Sequence, residues 1–92
     1  MELLVDIGNT NTSLAIVERG KIVKRYFIRT ERKQLEPVKI KRLIGKYFTL
    51  IEKIMVVSVV PRFLKLIKNS FTQILPRVPV VIVGSDILVP MK

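Results

Sequence analysis

The sequence predicts an α/β domain built on a mixed sheet, with elements in the order β-β-β-α-β-α-β. Three observations lead there. Residues 1–30 run as short apolar stretches separated by Gly-containing turns, the pattern of strands that neighbour each other antiparallel. Two later segments, starting near residues 40 and 63, change to the helical period. Residues 54–60 and 80–83 are almost continuously apolar, as strands buried on both faces of a parallel sheet are.

The elements follow in order. Residues 3–7 form a short apolar run, and Gly8-Asn9-Thr10-Asn11 is a turn signal. Residues 12–17 resume a strand, and Glu18-Arg19-Gly20-Lys21 turns again. In residues 22–29 the alternation puts Ile22, Lys24, Tyr26 and Ile28 on one face, with Val23, Arg25, Phe27 and Arg29 on the other. The first thirty residues therefore read as a three-stranded meander. Ile40, Leu43, Ile44, Tyr47, Phe48 and Ile51 then mark one helical stripe. Gly45 lies within it at a cost of roughly 1 kcal/mol against Ala. Pro61 suits the first turn of a second helix. That helix carries Phe63 or Leu64, Ile67, Phe71 and Ile74 or Leu75, and Pro76 and Pro79 end it. Gly84-Ser85-Asp86 turns out of the last strand. A helix between two parallel strands implies a right-handed crossover. Residues 1–92 make one domain: a 1–30 meander carrying the 6–13 loop, then αβαβ over 31–92.

Composition narrows the chemistry. The 92 residues include 17 Lys or Arg, 7 Asp or Glu, and no His, Cys or Trp. Without Cys there are no zinc fingers, iron–sulfur sites, disulfides or thiol nucleophiles. Without His there is no Ser–His pair. A hydrophobic fraction of 49% excludes a disordered chain. No stretch approaches the ~20 apolar residues of a membrane span, and Asp6 interrupts the N-terminal apolar run where a signal peptide needs continuity. The expected location is cytoplasmic. The net charge of +10 admits nucleic acid, an acidic surface, a phosphate-rich ligand or an acidic partner.

The loop Asp6-Ile7-Gly8-Asn9-Thr10-Asn11-Thr12-Ser13 carries the chemistry. A carboxylate at the carboxyl end of a buried strand stands where α/β sheets bind ligands. Gly8 permits close backbone approach and positive φ. Successive N–H groups form an anion-binding concavity, to which Thr10, Thr12 and Ser13 add hydroxyls and Asn9 and Asn11 add amides. Such donors hold phosphoryl oxygens, and Asp6 is placed to hold a hydrated Mg2+ against them. An ordinary hairpin uses the same residue types, so that reading stays open on the string alone.

Asp6-Ile-Gly-Asn-Thr-Asn-Thr12, following an N-terminal strand, resembles the first phosphate loop of type III pantothenate kinases, also called Bvg accessory factor-like. That family belongs to the acetate and sugar kinase/Hsp70/actin superfamily. Val57-Ser58-Val59-Val60-Pro61 is similar to the family's Ser-Val-Val-Pro segment at the end of its fourth strand. The resemblance implies an actin-like ATPase (ribonuclease H-like) fold, of which these residues form the N-terminal portion. It implies ATP-dependent phosphorylation of pantothenate, the first step of coenzyme A synthesis, with Mg2+, a monovalent cation (K+ or NH4+) and a homodimer. By position it makes Asp6 the metal- and phosphate-organising carboxylate, and Ile7, Gly8, Asn9, Thr10, Asn11, Thr12 and Ser13 the rest of the first phosphate loop. The family's Gly-x-Asp-Arg segment, whose Asp is the general base, is expected beyond Lys92, and the second phosphate loop later still. Asp86 sits in Gly-Ser-Asp-Ile, which is not that motif. The chain alone is therefore expected to be inactive, with a C-terminal half or a dimer partner completing it.

The rival from another class is a basic domain binding nucleic acid or a partner chain without catalysis. Lys39, Lys41, Arg42 and Lys46 could stripe the first helix, and Arg62, Lys65 and Lys68 the second. The aromatics Tyr47, Phe48, Phe63 and Phe71 fall on the apolar stripes, where core packing competes with base stacking. Two helices can hardly cover both faces of the buried strands, so an exposed apolar patch is expected. Ser58, in a buried strand, is expected to be satisfied by backbone. Arg29 and Arg62 are expected at the surface.

Overall fold

A computed structural model describes residues 1–58 and 60–83. The strands are β1 (Glu2–Ile7), β2 (Asn11–Glu18), β3 (Lys21–Arg29), β4 (Lys53–Ser58) and β5 (Val80–Ile82), and the helices are α1 (Pro37–Ile44) and α2 (Pro61–Ile74). They form one five-stranded sheet in the order β3-β2-β1-β4-β5. The β1–β2 and β2–β3 pairs are antiparallel, whereas β1–β4 and β4–β5 are parallel. The mixed α/β architecture read from the sequence is thus the observed one. β1 is central, so its C-terminal end is flanked by β2 on one side and β4 on the other.

Period-two alternation decides what each strand buries. Leu3, Val5 and Ile7 of β1, Leu14 and Ile16 of β2, and Ile54 and Val56 of β4 are fully buried on one face. Ile40 and Ile44 of α1, and Ile67 and Phe71 of α2, close over them. Each such side chain stabilises the fold by about 1.5–3 kcal/mol relative to exposure. The buried Ser70 hydroxyl donates to the Leu35 carbonyl at 2.8 Å. That bond ties the 3-10 turn Arg32–Leu35 to α2.

Two local expectations differ from the structure. The first helical stripe does not continue as one α-helix. Gly45 ends α1 with φ 49° and ψ −118°, donating its N–H to the Lys41 carbonyl, and a 3-10 turn carries residues Gly45–Leu50. Only glycine adopts that backbone cheaply, so the residue stops the helix rather than weakening it. Between β2 and β3 the register shifts at Ile16/Val17, so that Ile22 pairs with Val17 while Lys24 pairs with Ile16. The bulge moves Ile22 off the face shared by Lys24, Tyr26 and Ile28. The gap in cover expected for the two apolar strands is present: β4 and β5 are covered by helices on one face only. Among the described residues, Met55 and Val81 are half-buried and Val57 is exposed.

The Arg19-Gly20 turn follows the expected hairpin chemistry. Both residues have positive φ, 52° and 79°, the combination a two-residue type I′ connection requires.

The face opposite the helices is apolar across several strands. Leu4, Ala15, Met55 and Val81 lie in one cross-strand row, with Phe27 68% exposed nearby. The 92-residue chain should therefore enhance anilinonaphthalene sulfonate fluorescence in its native state. Phe27→Gln with Val57→Thr should at least halve that signal while melting within a few degrees of wild type, since exposed substitutions usually change stability by under about 0.5 kcal/mol. Unchanged dye binding by the double variant would place the dye elsewhere.

Candidate functional site

The C-terminal ends of β1 and β4 lie side by side, with Asp6 next to Val57 and Ile7 next to Ser58. On its other side Asp6 pairs with Ser13. Its position in the alternation puts Asp6 on the face away from the helices, where it is exposed. No ion pair or hydrogen bond engages its carboxylate among the described residues. Asp6 thus stands at the carboxyl end of its strand, as expected from the sequence, with Ser13 as its cross-strand neighbour.

The loop after Asp6 is closed by backbone. The Gly8 N–H donates to the Asn11 carbonyl at 3.0 Å. A Cβ on Gly8 would come within 2.9 Å of that same oxygen. Close approach, and not positive φ, is therefore what requires glycine here, because Gly8 is not among the positive-φ residues. Asn9, Thr10 and Asn11 are exposed and Ser13 is half-buried. Ile7 is part of the core, which leaves only its backbone for a ligand. Thr12 is fully buried on the helix-covered face, with its Oγ1 2.8 Å from Thr30 Oγ1. The Thr30 N–H also donates to the Thr10 carbonyl at 2.8 Å. Thr30 is a neighbour of the loop that the linear motif does not contain. Its pairing across β2–β3 is the signal that finds it.

The Ser58 side chain bonds locally, as expected. Its hydroxyl donates to the Val60 carbonyl and accepts from the Val60 N–H, both at 2.9 Å. Those bonds shape the β4–α2 connection, and Pro61 begins the helix. Arg29 pairs with Glu31 at 3.1 Å with both side chains exposed, which contributes about 0–1 kcal/mol. Arg62 sits over the Phe63 ring and lines a cleft of about 310 Å3 with Arg32, Phe63 and Leu66. Of the basic residues expected to stripe the first helix, Lys41 of α1 sits over Phe48, and Lys46, in the 3-10 turn that follows, sits over Tyr47. Those rings pack against the core and offer no free stacking platform. Burial raises the Tyr26 phenol pKa, and Tyr47 adds to the shift. Asp86 and the Gly84 turn lie outside the described residues.

The donor set suits a phosphate with a hydrated divalent ion. Asp6 supplies one carboxylate, and no cluster of three or more His, Cys, Asp or Glu exists among the described residues. A Mg2+ ion usually takes one or two carboxylates and fills its remaining positions with water and phosphate oxygens. The net charge of +10 favours an anionic ligand at long range. Among the described residues no helix is long and apolar enough to cross a membrane.

Solved structures share the fold. A protein of Porphyromonas gingivalis assigned as an N-acetylglucosamine kinase superposes with a TM-score of 0.71 at 18% identity, over 89% of this chain and 33% of its own. The ethanolamine utilization protein EutJ of Carboxydothermus hydrogenoformans superposes with a TM-score of 0.63 at 19% identity, over 87% of this chain and 44% of its own. These likenesses concern the fold alone, a mixed sheet with helices. In sequence, the type III pantothenate kinase of Kosmotoga olearia is 37% identical over 92 residues, covering 94% of this chain. The match spans 35% of that relative's length. Residues 2–92 match the family described as type III pantothenate kinase. With the Asp6–Ser13 loop at the end of the central strand and the Ser58–Pro61 connection beside it, the chain belongs to the type III pantothenate kinase family.

Proposed function

We propose that this chain supplies the first phosphate-binding loop of an ATP-dependent pantothenate kinase acting at the start of coenzyme A synthesis in the cytoplasm. The observation that carries the proposal is the unpaired, exposed Asp6 carboxylate beside Ser13, at the mouth of a loop rich in hydroxyl, amide and backbone N–H donors. Asn9, Thr10, Asn11 and Ser13 offer side-chain donors to phosphate oxygens, and Gly8 lets the backbone close beneath them. Thr12 belongs to the same loop, its hydroxyl engaged with Thr30. Asp6 would hold Mg2+ through water, and the ion would neutralise charge on the phosphates. A monovalent cation, K+ or NH4+, belongs to the family reading and is assigned no residue here.

Phosphoryl transfer depends on positioning and charge stabilisation. The 92 residues contain one such loop and no Gly-x-Asp-Arg segment. We assign the base acting on the pantothenate hydroxyl, and the opposing phosphate clamp, to residues outside these 92, on a C-terminal half or a dimer partner. The isolated chain should bind Mg-ADP weakly and give no ATP-dependent pantothenate phosphorylation. Titration calorimetry with Asp6→Asn, a near-isosteric change, should show Mg-ADP binding weakened roughly ten- to hundredfold, as expected for loss of a charged contact worth ~1.5–3 kcal/mol. Affinity unchanged by Asp6→Asn would remove Asp6 from the site, and turnover by the isolated chain would overturn the division of labour.

A further inference from the structure

Thr30 lies seventeen residues beyond Ser13 in the chain, yet it holds the loop at two points. Its hydroxyl meets Thr12 Oγ1 at 2.8 Å, and its N–H donates to the Thr10 carbonyl at 2.8 Å. We propose that Thr30 is a positioning residue that sets the conformation of the phosphate loop through Thr12 and Thr10. The proposal rests on reading the 6–13 loop as a nucleotide-phosphate site.

The geometry explains how one residue does this. Thr12 is fully buried, so its hydroxyl cannot turn to solvent, and its hydrogen-bond partner among the described residues is Thr30. The pair pins the base of the loop to the end of β3. The second bond fixes a peptide plane. The unit joining Thr10 to Asn11 is trans, so a carbonyl drawn toward Thr30 sends the Asn11 N–H the opposite way, toward the loop and away from β3. The Gly8–Asn11 bond then closes the loop from the β1 side. A run of Gly, Asn and Thr has little side-chain packing of its own, so these three bonds are what order it. Ordering before the ligand arrives is what raises affinity for an anion held by several weak donors. Thr30 itself need not touch the ligand.

The test uses the 92-residue chain with Thr30→Val, Thr30→Ser and the double change Thr12→Val/Thr30→Val. Two readouts are taken: Mg-ADP affinity by calorimetry, and hydrogen exchange at the amides of residues 9–12 without nucleotide. Thr30→Val should weaken Mg-ADP binding about tenfold, because it strands the buried Thr12 hydroxyl and frees the loop. It should also speed exchange at residues 9–12 more than in the strand interiors. Thr30→Ser keeps the hydroxyl and should stay within about twofold on both measures, by the same bond count. In the double variant two apolar groups face each other, so the melting temperature should recover while affinity stays low. Affinity that recovers with melting temperature would show a merely structural role and overturn the proposal. So would unchanged exchange in Thr30→Val, whether or not nucleotide binds. Faster exchange in a chain whose wild type binds no Mg-ADP would uphold the positioning role and sink the phosphate reading instead.

Discussion

Phe71→Ala should leave the chain only marginally folded at room temperature. Phe71 is fully buried and is the largest such side chain in the core. It sits on α2, which packs against α1, β4 and β5 and carries the Ser70 bond to Leu35. Removing a buried Phe costs about 3–5 kcal/mol through lost transfer energy and the cavity left behind. Domains gain roughly 0.05–0.15 kcal/mol per residue, or about 5–14 kcal/mol for a chain of this length, and a sheet with one uncovered face belongs at the low end. Urea unfolding followed by circular dichroism at 222 nm should show a midpoint near zero denaturant, or a pretransition baseline that never forms. Leu66→Ala, at a half-buried position on the same helix, should cost far less. A Phe71→Ala loss below about 1 kcal/mol would mean that the ring's pocket collapses freely, contrary to close packing.

How much of this fold a reader of the bare sequence recovers depends on which residues report on local geometry and which on tertiary contact. The meander was legible because Asn, Gly and Thr break apolar runs at hairpin spacing. The Arg19-Gly20 turn is the plainest case, with both residues at positive φ. The helical stripes were legible through Ile40, Ile44, Ile67 and Phe71, which are all buried as their spacing requires. Gly45 was not, because its propensity cost says nothing about whether the chain will use its left-handed freedom. That choice is made by packing Tyr47, Phe48 and Ile51 against the core. Uninterrupted apolar runs at 54–60 and 80–83 imply cover on both faces, yet a run alone cannot say which chain segment supplies the second cover. In the loop, Asp6 and Gly8 were legible from the motif. The motif offers Thr12 as a phosphate donor, whereas residues 12, 14 and 16 share a strand face on which Leu14 and Ile16 are buried, so its hydroxyl faces the core and meets Thr30 instead. Thr30 could emerge only from the β2–β3 register, which a bulge shifts at Ile16.

Gly8→Ala should separate loop geometry from fold stability. The added methyl would stand 2.9 Å from the Asn11 carbonyl oxygen, a backbone atom that cannot swing aside. That oxygen is also the acceptor of the Gly8 N–H, so moving it away breaks the bond that closes the loop. The φ of Gly8 is not positive, and the penalty comes from the contact alone. Overpacking of this kind typically costs about 1–3 kcal/mol. The loop can relieve most of it by opening, at the expense of its donor array. Mg-ADP affinity should then fall by more than about tenfold, the equivalent of roughly 1.4 kcal/mol, while the far-ultraviolet spectrum stays native. Gly20→Ala provides the contrast. Nothing lies within 4 Å of its Cβ, but φ is +79°, so strain of about 1–2 kcal/mol should lower the melting temperature. That turn lies at the other end of β2 from the phosphate loop, and affinity should be unchanged. If Gly8→Ala keeps both wild-type affinity and a native spectrum, the loop does not need its closed form to hold phosphate. If both glycine variants lose affinity in step with melting temperature, the binding site tracks global stability rather than the close approach at Gly8.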